Sequence, residues 1–202
     1  MNRALALLAL LAAAMAPPAF AADYHFFFGG SLINGETAVT AADGWSMGFG
    51  GISARDQDIA WRWDVGLDSH DMRKPTDTNV LADDGDLFTT FVRFGPQFEF
   101  EGYDSRFYVN AMIGYYWTGA SVSREISVPG YYCDPFWGWC WYTTLPSEEI
   151  LDERSTQDWG YSATMGYEWG GDDATWFVEL QYHLAQKDAG YTFSPVVFGL
   201  RW

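Results

Sequence analysis

The chain has 202 residues, with 27 acidic against 11 basic side chains and a net charge of −16. A surface this acidic excludes nucleic acid, whose phosphates it would repel. Aromatic residues make up 19% of the chain and glycine occurs 21 times, a composition that suits short alternating strands in one all-β domain.

The N-terminus, MNRALALLALLAAAMAPPAFAADYHF, places Arg3 before an apolar run from Ala4 to about Ala16, then two prolines and Ala19-Phe20-Ala21. This order predicts a secretory signal peptide over residues 1–22, cleaved near Ala21 or Ala22. The apolar run is shorter than the roughly 20 residues a spanning helix needs, and no longer run follows it. Residues 23–202 are then one exported domain, in a compartment that permits disulfides.

Eight alternating segments follow in order: Tyr24–Asn34, Gly44–Ala54, Ile59–Ser69, Asp86–Phe100, Arg106–Ser123, Gln157–Trp169, Thr175–Gln186 and Tyr191–Trp202. In the fifth, Phe107, Val109, Ala111, Ile113, Tyr115 and Trp117 share a face, opposite Tyr108, Asn110, Met112, Gly114, Tyr116 and Thr118. The sixth sets Trp159, Tyr161, Ala163, Met165, Tyr167 and Trp169 against Gly160, Ser162, Thr164, Gly166 and Glu168. The seventh sets Trp176, Val178, Leu180, Tyr182 and Leu184 against Phe177, Glu179, Gln181 and His183. Each segment has the ~9–11 residues a tilted spanning strand requires. A soluble barrel would turn its apolar face inward. Here that face is wide and bracketed by rings, as on a barrel facing lipid.

The connections alternate in length. RDQD, EGYDS and GGDDA are short, while GETAVTAAD, the stretch from His70 to Gly85 and the stretch from Arg124 to Thr156 are longer, and KDAG closes the series. The last segment, YTFSPVVFGLRW, alternates to a terminal aromatic residue, Trp202. The chain thereby resembles the eight-stranded outer-membrane β-barrels of the OmpA transmembrane domain and OmpX type, although those usually end in Phe. The resemblance implies an up-and-down antiparallel transmembrane barrel, with short turns in the periplasm and longer loops outside. It also implies contact with outer-membrane lipid and lipopolysaccharide, and folding by the outer-membrane assembly machinery. Nothing like the peptidoglycan-binding domain of OmpA-type proteins is present in the sequence.

The inward face collects His25, Arg62, Asp64, Asp68, Arg93, Gln97, Glu99, Asn110, Glu168, Glu179, Gln181, His183 and Arg201. Arg62, Glu99, Glu168, Glu179 and Arg201 fall in the periplasmic half. In a lumen about one side chain wide, unpaired charges would cost several kcal/mol. Arg62, Asp64, Arg93, Glu99, Glu168, Glu179 and Arg201 are therefore expected to form an ion-pair network. The network either fills and rigidifies the barrel or gates a narrow pore. Glu179 and His183 share a face four residues apart, too few ligands for a specific metal site. No cofactor or metal is expected.

The stretch YYCDPFWGWCWY holds both cysteines and seven aromatic residues in twelve. Cys133 and Cys140 are expected to pair, closing Asp134 to Trp139 into a turn atop a hairpin that extends the fifth and sixth strands. A loop this short adds only ~2–3 kcal/mol by the chain-entropy model, so its effect is to order the tip. Phe136, Trp137, Trp139 and Trp141 then either recognise a host or envelope partner or fold back onto the barrel rim and outer leaflet.

Catalysis has one candidate, Asp68-Ser69-His70-Asp71, at the height where an enzyme acting on lipid A would work. Adjacent strand residues point to opposite faces, so Ser69 and His70 should diverge. Asp71, Asp77, Asp83, Asp84 and Asp86 could hold divalent cations shared with lipopolysaccharide, or be simply solvated. The sequence is read as a monomeric, non-enzymatic outer-membrane barrel that anchors and presents surface loops in adhesion, recognition or envelope integrity. A narrow pore and a lipid A-modifying enzyme are the alternatives.

Overall fold

A computed structural model of the protein describes residues 23–34, 41–53, 59–72, 84–133, 137–171, 174–185 and 192–202. The signal peptide expected over residues 1–22 lies outside them. Eight antiparallel strands form a closed barrel: β1 (Asp23–Asn34), β2 (Ala41–Ser53), β3 (Ala60–Met72), β4 (Asp84–Glu101), β5 (Ser105–Cys133), β6 (Cys140–Gly170), β7 (Thr175–Ala185) and β8 (Thr192–Arg201). Each pairs with the next, and β8 returns to β1 from His25↔Arg201 to Asn34↔Thr192. Beyond the last rung, Tyr24 N–H donates to Trp202 O at 2.9 Å and Trp202 N–H donates to Tyr24 O at 3.0 Å. Closure satisfies the main chain without water, which a wall in hydrocarbon must do.

The period of two separates an inner from an outer surface. On β7, Phe177, Glu179 and His183 are buried while Trp176, Val178, Leu180, Tyr182 and Leu184 are exposed. Large apolar side chains outside and charges inside suit a wall that faces lipid. Rings gather at both ends of this band. Tyr115 meets Trp117 at 4.7 Å and Trp159 at 5.3 Å between centroids. At the other end Trp176 stacks on Phe198 at 5.2 Å and Tyr167 on Trp169 at 5.8 Å. Between Trp159 and Trp169, β6 tilted by about 40° rises roughly 25 Å, the height of an apolar membrane band.

Inward rings fit the narrow lumen because each lies over a glycine of the neighbouring strand. Phe27 is paired with Gly48, Phe91 with Gly66, Tyr108 with Gly166 and Phe177 with Gly199. A Cβ on those glycines would come within 2.3, 2.3, 2.3 and 2.1 Å of the respective ring Cζ atoms, closer than any packed contact. The glycines trade side-chain bulk for ring packing across the strand pair.

The main departure from the expected segments is at β5 and β6. The hairpin expected to extend the fifth and sixth strands takes in nearly the whole stretch from Arg124 to Thr156 as strand, whereas the expected segments ended at Ser123 and resumed at Gln157. Pro129, Gly130 and Pro146 interrupt the stretch, and it carries no clean apolar alternation by which its strand length could be read.

Candidate functional site

The lumen holds a charged layer in the half away from the β5–β6 hairpin. Glu179 lies against Arg62, whose Nη1 and Nη2 donate to its two carboxylate oxygens at 2.5 and 3.1 Å. The Tyr108 hydroxyl donates to the same carboxylate at 2.5 Å. Asp64 accepts from Arg62 Nε at 2.9 Å, Arg93 Nε at 2.8 Å and His25 Nε2 at 2.8 Å. Arg93 goes on to donate to Gln181 Oε1 and His183 Nε2, both at 2.9 Å, and Gln181 Nε2 donates to Glu179 Oε2 at 2.6 Å. Two guanidinium groups and two carboxylates, all buried, thus balance one another through fork-shaped hydrogen bonds.

A second group lies nearer the end of the barrel. Arg201 Nη1 donates to Glu168, and Arg106 reaches Glu99 at 3.3 Å and Glu101 at 3.6 Å. The seven residues expected to form one network are thus brought into two groups, with Glu99, Glu168 and Arg201 in the second. Arg106 was not among them. It shares the parity of Tyr108 on β5, which is the signal that places it inside. Its position next to the turn hid it.

Above the charges lies a layer of rings. His183 stacks on Phe193 at 4.3 Å, Phe91 lies 5.0 Å from His183, and Tyr116 lies 5.9 Å from Phe91 and 6.4 Å from Phe193. These side chains come from β4, β5, β7 and β8. Phe91, Tyr116 and Phe193 join Phe27, Phe177, Val197, Ile33, Ala41 and Leu87 in the buried apolar cluster of the lumen.

The Asp68–Asp71 stretch divides as its alternation requires. Ser69 is half-buried on the outer surface and His70 is buried in the lumen, so the two diverge. His70 Nδ1 lies 3.0 Å from Ala42 O, while its Nε2 faces both Asp68 and Ser31 Oγ, the latter at 3.4 Å. A nucleophile–base–carboxylate relay needs the carboxylate and the hydroxyl at opposite ring nitrogens. Here both lie at one. Among the described residues no group of three or more His, Cys, Asp or Glu could hold a metal ion. Asp77 and Asp83 of the acidic stretch lie outside the described residues.

The other site is the hairpin. The β5–β6 ladder continues from Trp117↔Gln157 to Cys133↔Cys140 with one irregularity, between Val122 and Ser123. At a strand rise of about 3.4 Å per residue, that ribbon is roughly 50 Å long. Cys133 and Cys140 are joined by a disulfide, with Cα atoms 4.0 Å apart. Just below it Tyr131 and Tyr142 meet edge to face at 5.3 Å. Lower still, Arg124 Nε and Nη2 donate to Glu149 Oε2 at 2.8 and 2.5 Å. At the tip Gly138 takes a left-handed φ of 68°, a conformation glycine adopts without cost. Trp137 and Trp139 on either side of it are 80% and 76% exposed. These two rings stand at the end of the ribbon rather than folded back onto the rim, because the ladder and disulfide carry them away from it. Phe136 lies outside the described residues, and Trp141 is placed in β6 opposite Tyr132.

No family model matches the chain, and no curated protein sequence does so at a significant level. Solved structures do match. Neisserial surface protein A aligns with a TM-score of 0.56 at 12% identity, over 89% of this chain and 94% of that one. The outer membrane protein OprG from Pseudomonas aeruginosa aligns with a TM-score of 0.52 at 9% identity, over 91% of this chain and 97% of that one. With its closed ring of eight antiparallel strands, lipid-type outer surface and charged interior, the chain has the fold of the small eight-stranded outer-membrane β-barrels.

Proposed function

We propose that this protein is a non-enzymatic outer-membrane anchor whose task is to hold the β5–β6 hairpin above the bilayer as a surface-recognition element. The observation that carries this reading is the ladder that runs to Cys133↔Cys140 and ends in the exposed rings of Trp137 and Trp139. A membrane anchor alone needs no such ribbon. Rings ordered by a disulfide lose little freedom on engaging a partner, and Trp and Tyr dominate binding hot spots. The barrel below serves as a plugged, rigid base. Its filled lumen argues against the narrow pore, and the placement of Ser31, Asp68 and His70 argues against lipid A chemistry.

The test compares cells carrying the full chain with cells in which 124–154 is replaced by a short turn. Both barrels reach the membrane folded, and only the full chain supports adherence to host cells or retention of an envelope component. Equal behaviour of the two strains would sink the proposal. Lipid A from cells with and without the protein should give the same mass spectrum; a lost or gained acyl chain would instead indicate an enzyme.

A further inference from the structure

We infer that the hairpin docks on an apposed membrane of zwitterionic phospholipid, sinking the rings of its tip into the headgroup interface. This rests on the reading of the hairpin as the recognition element and names its partner. Charge divides the hairpin in two. From Ile126 to Ser147 the one charged residue is Asp134, while the flanking segments 124–125 and 148–154 hold two arginines and five acidic residues. The ladder keeps those charges on the shaft, at the rungs Arg124↔Glu149 and Glu125↔Glu148 and below them, and gives the uncharged stretch the end of the ribbon.

The tip is apolar all round. Tyr131 and Tyr142 share one face of the ribbon and are 70% and 66% exposed, while Val128, of opposite parity, is exposed on the other. Trp137 and Trp139 are exposed at the end. A groove on a partner protein covers one side of such an element, whereas a bilayer interface surrounds it. The described rings begin at the Tyr131↔Tyr142 rung, two rungs below Cys133↔Cys140. With the turn they occupy the last ~10 Å of the ribbon. That is the depth, about 5–10 Å, to which interfacial elements sink. Trp and Tyr are the rings that settle at this level, and the disulfide orders them beforehand.

Charge also selects the lipid. Interfacial elements that seek anionic lipid carry Lys and Arg on their polar face. Between Arg124 and Arg154 this chain has no Lys, Arg or His, so the tip offers anionic headgroups no cation, and Asp134 would repel them. The membrane is an apposed one because the ladder carries the tip roughly 50 Å from Trp117 on the barrel rim. The shaft sets the stop. Arg124 and Glu149 pair with side chains 32% and 45% exposed, and sinking them deeper would cost the hydration they keep.

The test mixes the folded protein in nanodiscs with free phosphatidylcholine vesicles and follows co-flotation. The protein should float with the vesicles, and empty nanodiscs should not. Trp137→Ser/Trp139→Ser should weaken the association about tenfold or more, with the folded barrel retained on gels. Adding phosphatidylserine to the vesicles should not strengthen it. Brominated lipid placed in the vesicles should quench tryptophan emission of the parent protein and not of the variant. No co-flotation, equal co-flotation of the variant, or a requirement for phosphatidylserine overturns the inference. Quenching of Trp137 and Trp139 by brominated lipid in the nanodisc alone places the tip on its own leaflet and overturns it as well. If vesicles do not bind while deletion of the hairpin abolishes adherence, the partner is a protein or glycan and the recognition reading stands. If vesicles do not bind and the deletion changes nothing, both fall.

Discussion

Asp64 accepts hydrogen bonds from Arg62, Arg93 and His25, so this one carboxylate joins both guanidinium groups and, with Glu179, balances them. Asp64→Asn keeps the shape and removes the charge, leaving buried guanidinium groups under-compensated. The expected cost is about 3–5 kcal/mol, read as a lower urea midpoint for unfolding from lipid vesicles. Glu101→Gln, which alters an 80% exposed partner of Arg106, should leave the midpoint unchanged because screened surface pairs contribute little. Equal effects of the two variants would refute the assignment of the central layer. At this scale the sequence was legible as to side. Arg62, Asp64, Arg93, Glu179 and Arg201 were placed inside by parity, and all are buried. Their partners were not legible. Arg62 and Glu179 stand on β3 and β7, 117 residues apart, and nothing local to either names the other.

At the scale of the element, strand pairs are matched ring to glycine. Gly166→Ala would bring a Cβ to 2.3 Å from Tyr108 Cζ and 2.5 Å from its hydroxyl, pushing the ring off Glu179. A loss of about 1–3 kcal/mol is expected. In a double-mutant cycle, Tyr108→Leu combined with Gly166→Ala should cost less than the sum of the two; strict additivity would show that the ring can move freely. The disulfide acts on a different element. Cys133→Ser/Cys140→Ser should leave the barrel's unfolding midpoint where it is and raise amide hydrogen exchange between Tyr131 and Tyr142, because the crosslink constrains the tip alone. A shifted barrel midpoint would refute that local role. The hairpin's tip was legible from its two cysteines and turn formers. The length of its shaft was not, since the stretch between Arg124 and Thr156 carries no apolar period to read.

For the molecule as a whole, the ring layer of Phe91, Tyr116, His183 and Phe193 sits on the charged layer, and together they plug the barrel. The intact protein in planar bilayers should therefore show no unitary conductance steps. Regular steps would mean that the plug opens, and would revive the pore. Eight strands place the lumen at the size that side chains just fill.

Alternation by two is a local property. By itself the sequence determined the number of strands, the face each residue takes, the lipid-type exterior and the pairing of Cys133 with Cys140. Which interior residues meet is decided by the stagger accumulated over all eight pairings, so only the closed barrel brought Arg62 to Glu179 and divided the charges into two groups. How far a strand rises alone is likewise decided by where its neighbours stop. Among the described residues β4 and β7 end while β5 and β6 continue as a pair to Cys133 and Cys140, and this difference sets the length of the disulfide-closed hairpin.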